Sequence, residues 1–213
     1  MDPNFWHSRW ESDQIGFHIN HANPLLVEFF PTLSLKKSSR VFLPLCGKTL
    51  DIHWLLDQGY QVVGVELSKK AITQLFQELG IEPEIRTLDK LEHFSAEGID
   101  IFVGNLFDLS KAHIGKIDAI YDRAALVALP LDMRISYTNH LTQIAENAPQ
   151  LLICFEYDPS SMEGPPFSIE REEVLSHYNK YYKINQLKSI SVKGGMRNGI
   201  PVQEKVWHLE KNL

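Results

Sequence analysis

The sequence predicts an α/β fold with a doubly wound, seven-stranded and mostly parallel sheet that ends in an antiparallel hairpin. Short apolar runs alternate with helical segments through the middle of the chain, which is the pattern of a sheet covered by helices. The runs are rich in Val and Ile, as buried parallel strands are. Near the end, two strand-like segments flank Gly194-Gly195, which predicts the hairpin. We expect one domain over 1–213, with a helical extension at 1–32 and the core at 33–213.

Eight segments have strand character, and three of the segments between them have helical character. The predicted strands are 40–44, 61–66, 84–88, 99–103, 117–122, 150–156, 181–191 and 202–210. The predicted helices are 50–57, 68–79 and 131–147. Ser68 is a typical N-cap, and Gly80 is a typical residue to follow a helix.

Composition places the chain among ordinary globular proteins. Its 213 residues are 44% hydrophobic and 23% charged, and the formal charge is −6. This acidic balance argues against a nucleic-acid partner, and no apolar run is long enough to span a membrane. The N-terminus lacks the pattern of a signal peptide, and Cys46 and Cys154 are too few for a disulfide scaffold. We expect a cytoplasmic monomer with no metal, no membrane contact and a small-molecule partner.

The most informative segment begins with a strand and a tight loop, Leu45-Cys46-Gly47, and closes with Glu66 at the end of a second strand. An acid about 20 residues past such a loop is placed to accept ribose hydroxyls. A dinucleotide site would instead carry a G-x-G-x-x-G run, which lets backbone approach a pyrophosphate. The single glycine favours a nucleoside cofactor without phosphates, namely S-adenosylmethionine.

Several blocks of residues, in order along nearly the whole chain, resemble the thiopurine S-methyltransferase family. The matching blocks are Phe5–Trp10, Phe42–Lys48, Val62–Glu66, Phe107–Leu109, Tyr121–Ala128, Tyr157–Pro159 and Gly164–Phe167. The Pro-Leu-Cys-Gly-Lys loop is the specific one, since most methyltransferases carry two or three glycines there. The resemblance implies the Rossmann-like fold of class I methyltransferases.

The resemblance and the strand positions together give a set of cofactor-binding candidates. These are Trp10, Leu45, Glu66, Asn105, Leu106 and Arg123. Glu66 is expected to grip the ribose, whereas a surface carboxylate that caps the following helix is the alternative. Trp10 is expected to enclose the cofactor, although an aromatic stripe is more often plain core. The resemblance places Leu45 against the methionine part, and Asn105 with Leu106 at the adenine edge.

A second set of candidates concerns the methyl acceptor. The resemblance implies Phe17, Arg123, Pro166 and Arg197 as acceptor-binding residues. Arg123 follows a strand at the edge of the sheet where ligands bind. Its guanidinium is therefore expected to donate two parallel hydrogen bonds to an anion. The alternative for Arg123 is a structural ion pair with Asp122 or with another acid. No catalytic residue is certain, and Asp158 is the candidate proton acceptor.

The predicted reaction is methyl transfer from S-adenosylmethionine to the sulfur of aromatic or heterocyclic thiols such as thiopurines. The resemblance extends this to selenium and tellurium compounds, with detoxification and tellurite resistance as the role. Two alternatives stay open: a nucleotide-dependent oxidoreductase and a non-catalytic nucleoside-binding module. The N-terminal aromatic segment, which carries Trp10 and precedes Gly16 as a hinge, is predicted to be a lid.

Overall fold

The computed structural model describes residues 3–16, 18–197 and 199–212. Two compact units make up the chain, 1–119 and 120–213, and each is considered by itself. The described α-helices are α1 (Pro3–Glu11), α2 (Pro24–Phe29), α3 (Leu50–Asp57), α4 (Lys69–Leu79), α5 (Lys111–Ile114), α6 (Leu131–Ile144) and α7 (Arg171–Tyr178). The described strands are β1 (Arg40–Pro44), β2 (Gln61–Glu66), β3 (Glu84–Leu88), β4 (Leu91–Ala96), β5 (Ile99–Val103), β6 (Ala119–Arg123), β7 (Gln150–Glu156), β8 (Tyr182–Ser191) and β9 (Gln203–Lys211). Three short 3₁₀ helices are Phe30–Leu33, Leu106–Asp108 and Leu126–Ala128.

The first unit is built on the parallel strands β1, β2 and β5. Its strand order is β3-β4-β5-β2-β1, and β2 lies between two parallel neighbours. The apolar side chains of β1 and β2 are buried because helices cover such strands on both sides. Ser68 accepts a hydrogen bond from the Ala71 amide at the start of α4, and Gly80 ends that helix in the left-handed conformation. Both caps are confirmed.

Two strands of the first unit differ from the sequence expectation. The segment 84–88 is a strand, but β3 pairs antiparallel with β4, and β4 pairs antiparallel with β5. All eight predicted strand segments are strands, although the predicted sheet had seven; the described residues form nine strands, and β4 is the one that was missed. The two-residue turn Asp89-Lys90 that joins β3 to β4 lacks the glycine that marks a hairpin, so no local turn signal predicted it.

The second unit has the strand order β6-β7-β9-β8. β6 and β7 are parallel, whereas β9 is antiparallel to both β7 and β8, which confirms the terminal hairpin. Leu151, Leu152 and Ile153 of β7 and Trp207 of β9 are almost fully buried. The α/β fold with parallel strands and a C-terminal antiparallel hairpin is therefore confirmed. The helix predicted at 131–147 ends earlier, at Ile144.

Three observations bear on the class of protein. Within the described part of the chain, no helix is long and apolar enough to cross a membrane. The same residues contain no group of three or more His, Cys, Asp or Glu side chains arranged to hold a metal ion. Cys46 and Cys154 are free, buried thiols, and burial raises the pKa of both.

Candidate functional site

Glu66 is the last residue of β2, and its carboxylate joins the β1 loop to the start of α4. One oxygen accepts a hydrogen bond from the Gly47 amide and the other from the Ser68 amide, each at 2.9 Å. The side chain is buried, with 6% exposed, so it does not lie at the surface, but its bond to the Ser68 amide is the helix-start contact of the alternative interpretation. Burial raises the pKa of Glu66, and the hydrogen bonds from Ser68, Gly47 and Leu67 oppose that rise.

The loop after β1 has an unusual backbone. Leu45 has a φ of 47°, in the left-handed region that a branched side chain rarely adopts, and Gly47 has a φ of 54°. The Cys46 amide donates to the Val65 carbonyl at 3.1 Å, which ties the loop to β2. Strained backbone of this kind concentrates at ligand sites because the surrounding contacts impose it. The loop therefore has the features of a preformed binding site.

Trp10 lies at the C-terminal end of α1 and is only 2% exposed. Its ring covers Gly47 so closely that a Cβ built on that glycine would lie 3.1 Å from Trp10 Cζ2. Lys70 of α4 donates from Nζ to the Trp10 carbonyl at 2.9 Å and to the Glu11 carbonyl at 3.3 Å, and it pairs with Asp13 at 3.3 Å. Lys70 therefore fixes the end of α1, a role that the sequence analysis missed.

Asn105 and Leu106 follow β5 and begin a 3₁₀ helix. The Asn105 side chain accepts a hydrogen bond from the Phe107 amide at 3.1 Å and is exposed, which is the turn role that asparagine often takes. Leu106 is buried, with 4% exposed. Their assignment to the adenine edge stays a prediction.

These residues suit a nucleoside. The Gly47 and Ser68 amides each bond one Glu66 oxygen and the Leu67 amide also interacts with the carboxylate, which has about four lone-pair sites and so keeps acceptor capacity for ribose. The backbone of Leu45 and Gly47, fixed at positive φ, supplies polar groups beside that carboxylate. The Gly47 amide donates to Glu66 and so is not part of a phosphate-binding nest of backbone amides. This agrees with a cofactor that lacks phosphates, as the single-glycine loop predicts.

In the second unit, Arg123 ends β6 and its neighbour Asp122 points to the other face of the strand. Asp122 is fully buried and accepts hydrogen bonds from the Tyr137 hydroxyl at 2.7 Å and the Leu126 amide at 3.2 Å. Burial raises the pKa of Asp122 to about 6. The Arg123 side chain makes no hydrogen bond or ion pair to any described residue. Asp122 is therefore bonded to Tyr137 and Leu126 rather than to Arg123, and the role of Arg123 stays a prediction.

The segment Gly164–Phe167 is braced from three directions. The Tyr157 hydroxyl donates to the Pro166 carbonyl at 2.7 Å, and the Phe167 amide donates to the Val127 carbonyl at 2.6 Å. Arg197, predicted to bind the acceptor, donates to the Glu163 carbonyl at 2.6 Å and also to the Pro165 carbonyl. The structure thus has Arg197 as a clamp on this segment.

Asp158 is exposed and forms a local turn. It accepts hydrogen bonds from the Ser160 hydroxyl at 2.7 Å and the Ser160 amide at 2.9 Å, which lower its pKa. A carboxylate with a lowered pKa is a weaker base, so this geometry favours the turn role over proton transfer. The assignment of Asp158 as proton acceptor stays a prediction.

Two further points concern the acceptor residues. Phe17 lies outside the described residues. A cavity of 540 Å³ adjoins the Gly164–Phe167 segment and is lined by Arg134 and Glu173, which form an ion pair. Neither Arg123 nor Arg197 lines this cavity, so the candidates do not converge on it.

Comparison with known proteins gives the family. A family model described as thiopurine S-methyltransferase matches residues 1–212. A thiopurine S-methyltransferase of Xanthobacter autotrophicus is 49% identical over 212 residues, which are 99% of this chain and 100% of the relative. One of Acinetobacter baylyi is 47% identical, covering 98% of each chain.

Solved structures agree in fold. A Burkholderia thailandensis 1,6-didemethyltoxoflavin-N1-methyltransferase with bound S-adenosylhomocysteine matches at a TM-score of 0.65 and 14% identity, over 98% of this chain and 87% of that one. An S-adenosylmethionine-dependent methyltransferase of Methanosarcina mazei also matches at 0.65, with 16% identity, over 91% of this chain and 99% of that one. At such low identities the likeness concerns the fold alone.

The sequence expectations of a methyltransferase fold and of S-adenosylmethionine as the cofactor are confirmed. Family match and full-length relatives agree over the whole chain. The chain therefore belongs to the thiopurine S-methyltransferase family of S-adenosylmethionine-dependent methyltransferases.

Proposed function

We propose that the chain transfers the methyl group of S-adenosylmethionine to the sulfur of aromatic or heterocyclic thiols, thiopurines among them. The observation that carries this proposal is the identity of 49% to a thiopurine S-methyltransferase that aligns with the chain from end to end. The unpaired Arg123 at the end of β6 supports an acceptor that reacts as an anion.

The cofactor-binding role falls to the first unit. Glu66 accepts the ribose hydroxyls through the lone pairs that its backbone partners leave, and the loop backbone at Leu45 holds the methionine part. Trp10 covers the loop and keeps water away from it. When bound, S-adenosylmethionine supplies a methyl group on a sulfonium that is already a good leaving group.

The acceptor-binding role falls to the second unit. Arg123 draws a thiolate through charge, and its planar guanidinium orients a flat anion. The braced segment that contains Pro166 is the wall beside which the acceptor packs. Orientation of two reactants supplies about 7–11 kcal/mol of barrier reduction. Because an aromatic thiol is ionised near neutral pH, the proposal requires no strong general base.

The same proposal covers selenium and tellurium compounds, since they are soft nucleophiles like thiolates, and a role in resistance to them. Labelled S-adenosylmethionine, incubated with a panel of thiol, selenium and tellurium acceptors, tests all three classes. We expect transfer to aromatic thiols at least. Transfer to none of the acceptors would contradict the proposal.

A binding experiment separates the competing functions. Calorimetric titration is expected to show binding of S-adenosylhomocysteine and none of NAD. Binding of NAD alone would favour the oxidoreductase. Binding of S-adenosylhomocysteine without transfer to any acceptor would favour the non-catalytic binding module.

A further inference from the structure

Strand register places Glu204 of β9 on the same face of the second unit as Arg123. Arg123 is paired with Ile153 of β7, and Ile153 is paired with Val206 of β9. Directly paired residues share a face, and so do residues two apart along a strand, so Glu204 joins Val206 and Arg123. Val206 is paired with Ile153, and Glu204 is paired with Phe155. Glu204 therefore lies nearer than Val206 to the carboxyl end of β7.

The distance between the two residues suits a charge interaction. Two strand spacings and two residues of rise separate their Cα atoms by about 12 Å. Extended arginine and glutamate side chains together bridge most of that gap. Burial raises the pKa of Glu204 and the charge of Arg123 opposes that rise, which agrees with two charges on one face of the sheet without a direct contact.

Glu204 has no bonded partner in the described part of the chain, and its interaction with Arg123 is one of charge alone. Its side chain is half-buried and makes no hydrogen bond or ion pair there. The nearby carboxylate Glu156 of β7 differs, because it pairs with Lys205. On the face of Glu204, Lys188 is paired with Val206, and His208 lies further along β9. Of these charged groups, Arg123 is the one whose field reaches Glu204.

We propose that Glu204 is a specificity-determining residue of the acceptor site, as the counter-carboxylate of Arg123. Glu204 offsets part of the positive charge that Arg123 presents, so the site accepts a thiolate and disfavours acceptors that carry a second negative charge. Such a repulsive element is one of the two ways in which a site discriminates between ligands. The inference rests on the proposed thiol acceptor and names its charge class.

Two matched thiols test the inference. 4-Methylthiophenol and 4-mercaptobenzoate have the same reacting sulfur, and the second adds a carboxylate. At about pH 8, where carboxylates are ionised, Glu204→Gln is expected to lower KM for 4-mercaptobenzoate about fivefold, as for one charge removed at several ångströms. The KM for 4-methylthiophenol, whose thiolate carries a single charge, should fall by a smaller factor, so the ratio of the two KM values should change. Glu204→Asp should restore the wild-type preference.

Glu210→Gln is the control variant. Glu210 lies on the same strand, is exposed and pairs with Lys183, so the variant changes the net charge equally without touching the site. We expect it to leave both KM values unchanged. Equal KM changes for the two thiols in Glu204→Gln would overturn the inference. A fall of kcat for both thiols at constant KM would overturn it too, since that result describes a base.

A binding arm needs no turnover. Benzoate carries the carboxylate but no thiol, so its affinity in the presence of S-adenosylhomocysteine reports the charge of the site alone. We expect about fivefold tighter binding to Glu204→Gln than to wild type. Unchanged affinity would overturn the inference. If neither thiol is methylated but benzoate still binds more tightly to Glu204→Gln, the proposed thiol acceptor is wrong. The role of Glu204 in setting the charge of the site would still be supported.

Discussion

Glu66 of the first unit and Arg123 of the second each end a parallel strand, and each is a charged candidate residue, yet their surroundings differ. Both oxygens of Glu66 are bonded to backbone amides of the protein itself. The Arg123 guanidinium is bonded to nothing in the described residues. The carboxylate is thus positioned by the fold, whereas the guanidinium depends on a ligand for its hydrogen bonds. Replacing Glu66 should disturb both structure and binding, and replacing Arg123 should disturb function alone.

The largest effect is expected from Glu66→Ala. It removes the acceptor for two ribose hydroxyls, at about 1.5–3 kcal/mol for each charged hydrogen bond lost. It also leaves the Gly47 and Ser68 amides without their carboxylate, so the free energy of unfolding should fall as well. Calorimetric titration with S-adenosylhomocysteine and urea unfolding measure the two losses.

Glu66→Gln serves as the control because it keeps the shape and one acceptor oxygen. We expect it to retain more of the folding stability than of the cofactor affinity. If Glu66→Ala lost stability with full cofactor affinity, Glu66 would brace the loop without touching ribose.

Asp122 is an exception to the contrast between Glu66 and Arg123. It is the neighbour of Arg123 in sequence, but like Glu66 its carboxylate accepts hydrogen bonds from groups of the protein itself. Burial raises its pKa from 3.8 to about 6. The unfolded chain therefore releases this proton at lower pH than the folded one. The stability contribution is fully present below about pH 4 and is lost as pH rises to about 6, by roughly 3 kcal/mol.

Asp122→Asn is expected to remove that dependence. Urea unfolding of wild type and variant across about pH 4–7 measures it, and only the difference between their profiles is assigned to Asp122. This subtraction is needed because burial also raises the pKa of Glu66. Parallel profiles in the two proteins would contradict the assignment.

Arg123→Lys is expected to fold normally and lose activity. Lysine keeps the charge but not the planar fork, so kcat/KM should fall by roughly tenfold, and Arg123→Ala should fall further. Thermal melting should be nearly unchanged, because the arginine makes no hydrogen bond or close ion pair with a described residue and its interaction with Glu204 is one of charge at a distance. Weaker cofactor binding would place Arg123 on the methionine carboxylate, and a loss in turnover alone would place it on the acceptor. Melting that collapses with activity per folded molecule intact would make it a structural residue.

The sequence predicts the role of a residue when that role depends on its neighbours within a few positions along the chain. Glu66, Ser68 and Gly80 were identified because a strand end, an N-cap and a helix stop leave signals within a few residues. Lys70 and Glu204 were missed, since their roles require contacts or register with segments far along the chain. Arg197 was placed on the acceptor by resemblance, but its donors meet carbonyls of the segment 163–165, which no local pattern encodes.

The smallest expected effect concerns Lys70, the residue that fixes the end of α1. Its ammonium donates to the carbonyls of Trp10 and Glu11, a favourable contact at a helix C-terminus worth about 0.3–1 kcal/mol. Lys70→Met should loosen α1, which hydrogen exchange over residues 3–16 would detect, and should speed release of S-adenosylhomocysteine. Lys70→Arg keeps the charge and should behave closer to wild type. If α1 is a lid, bound cofactor analogue should add protection to these residues in wild type. Equal protection with and without the analogue would instead make α1 a permanent part of the structure, with Lys70 as its anchor.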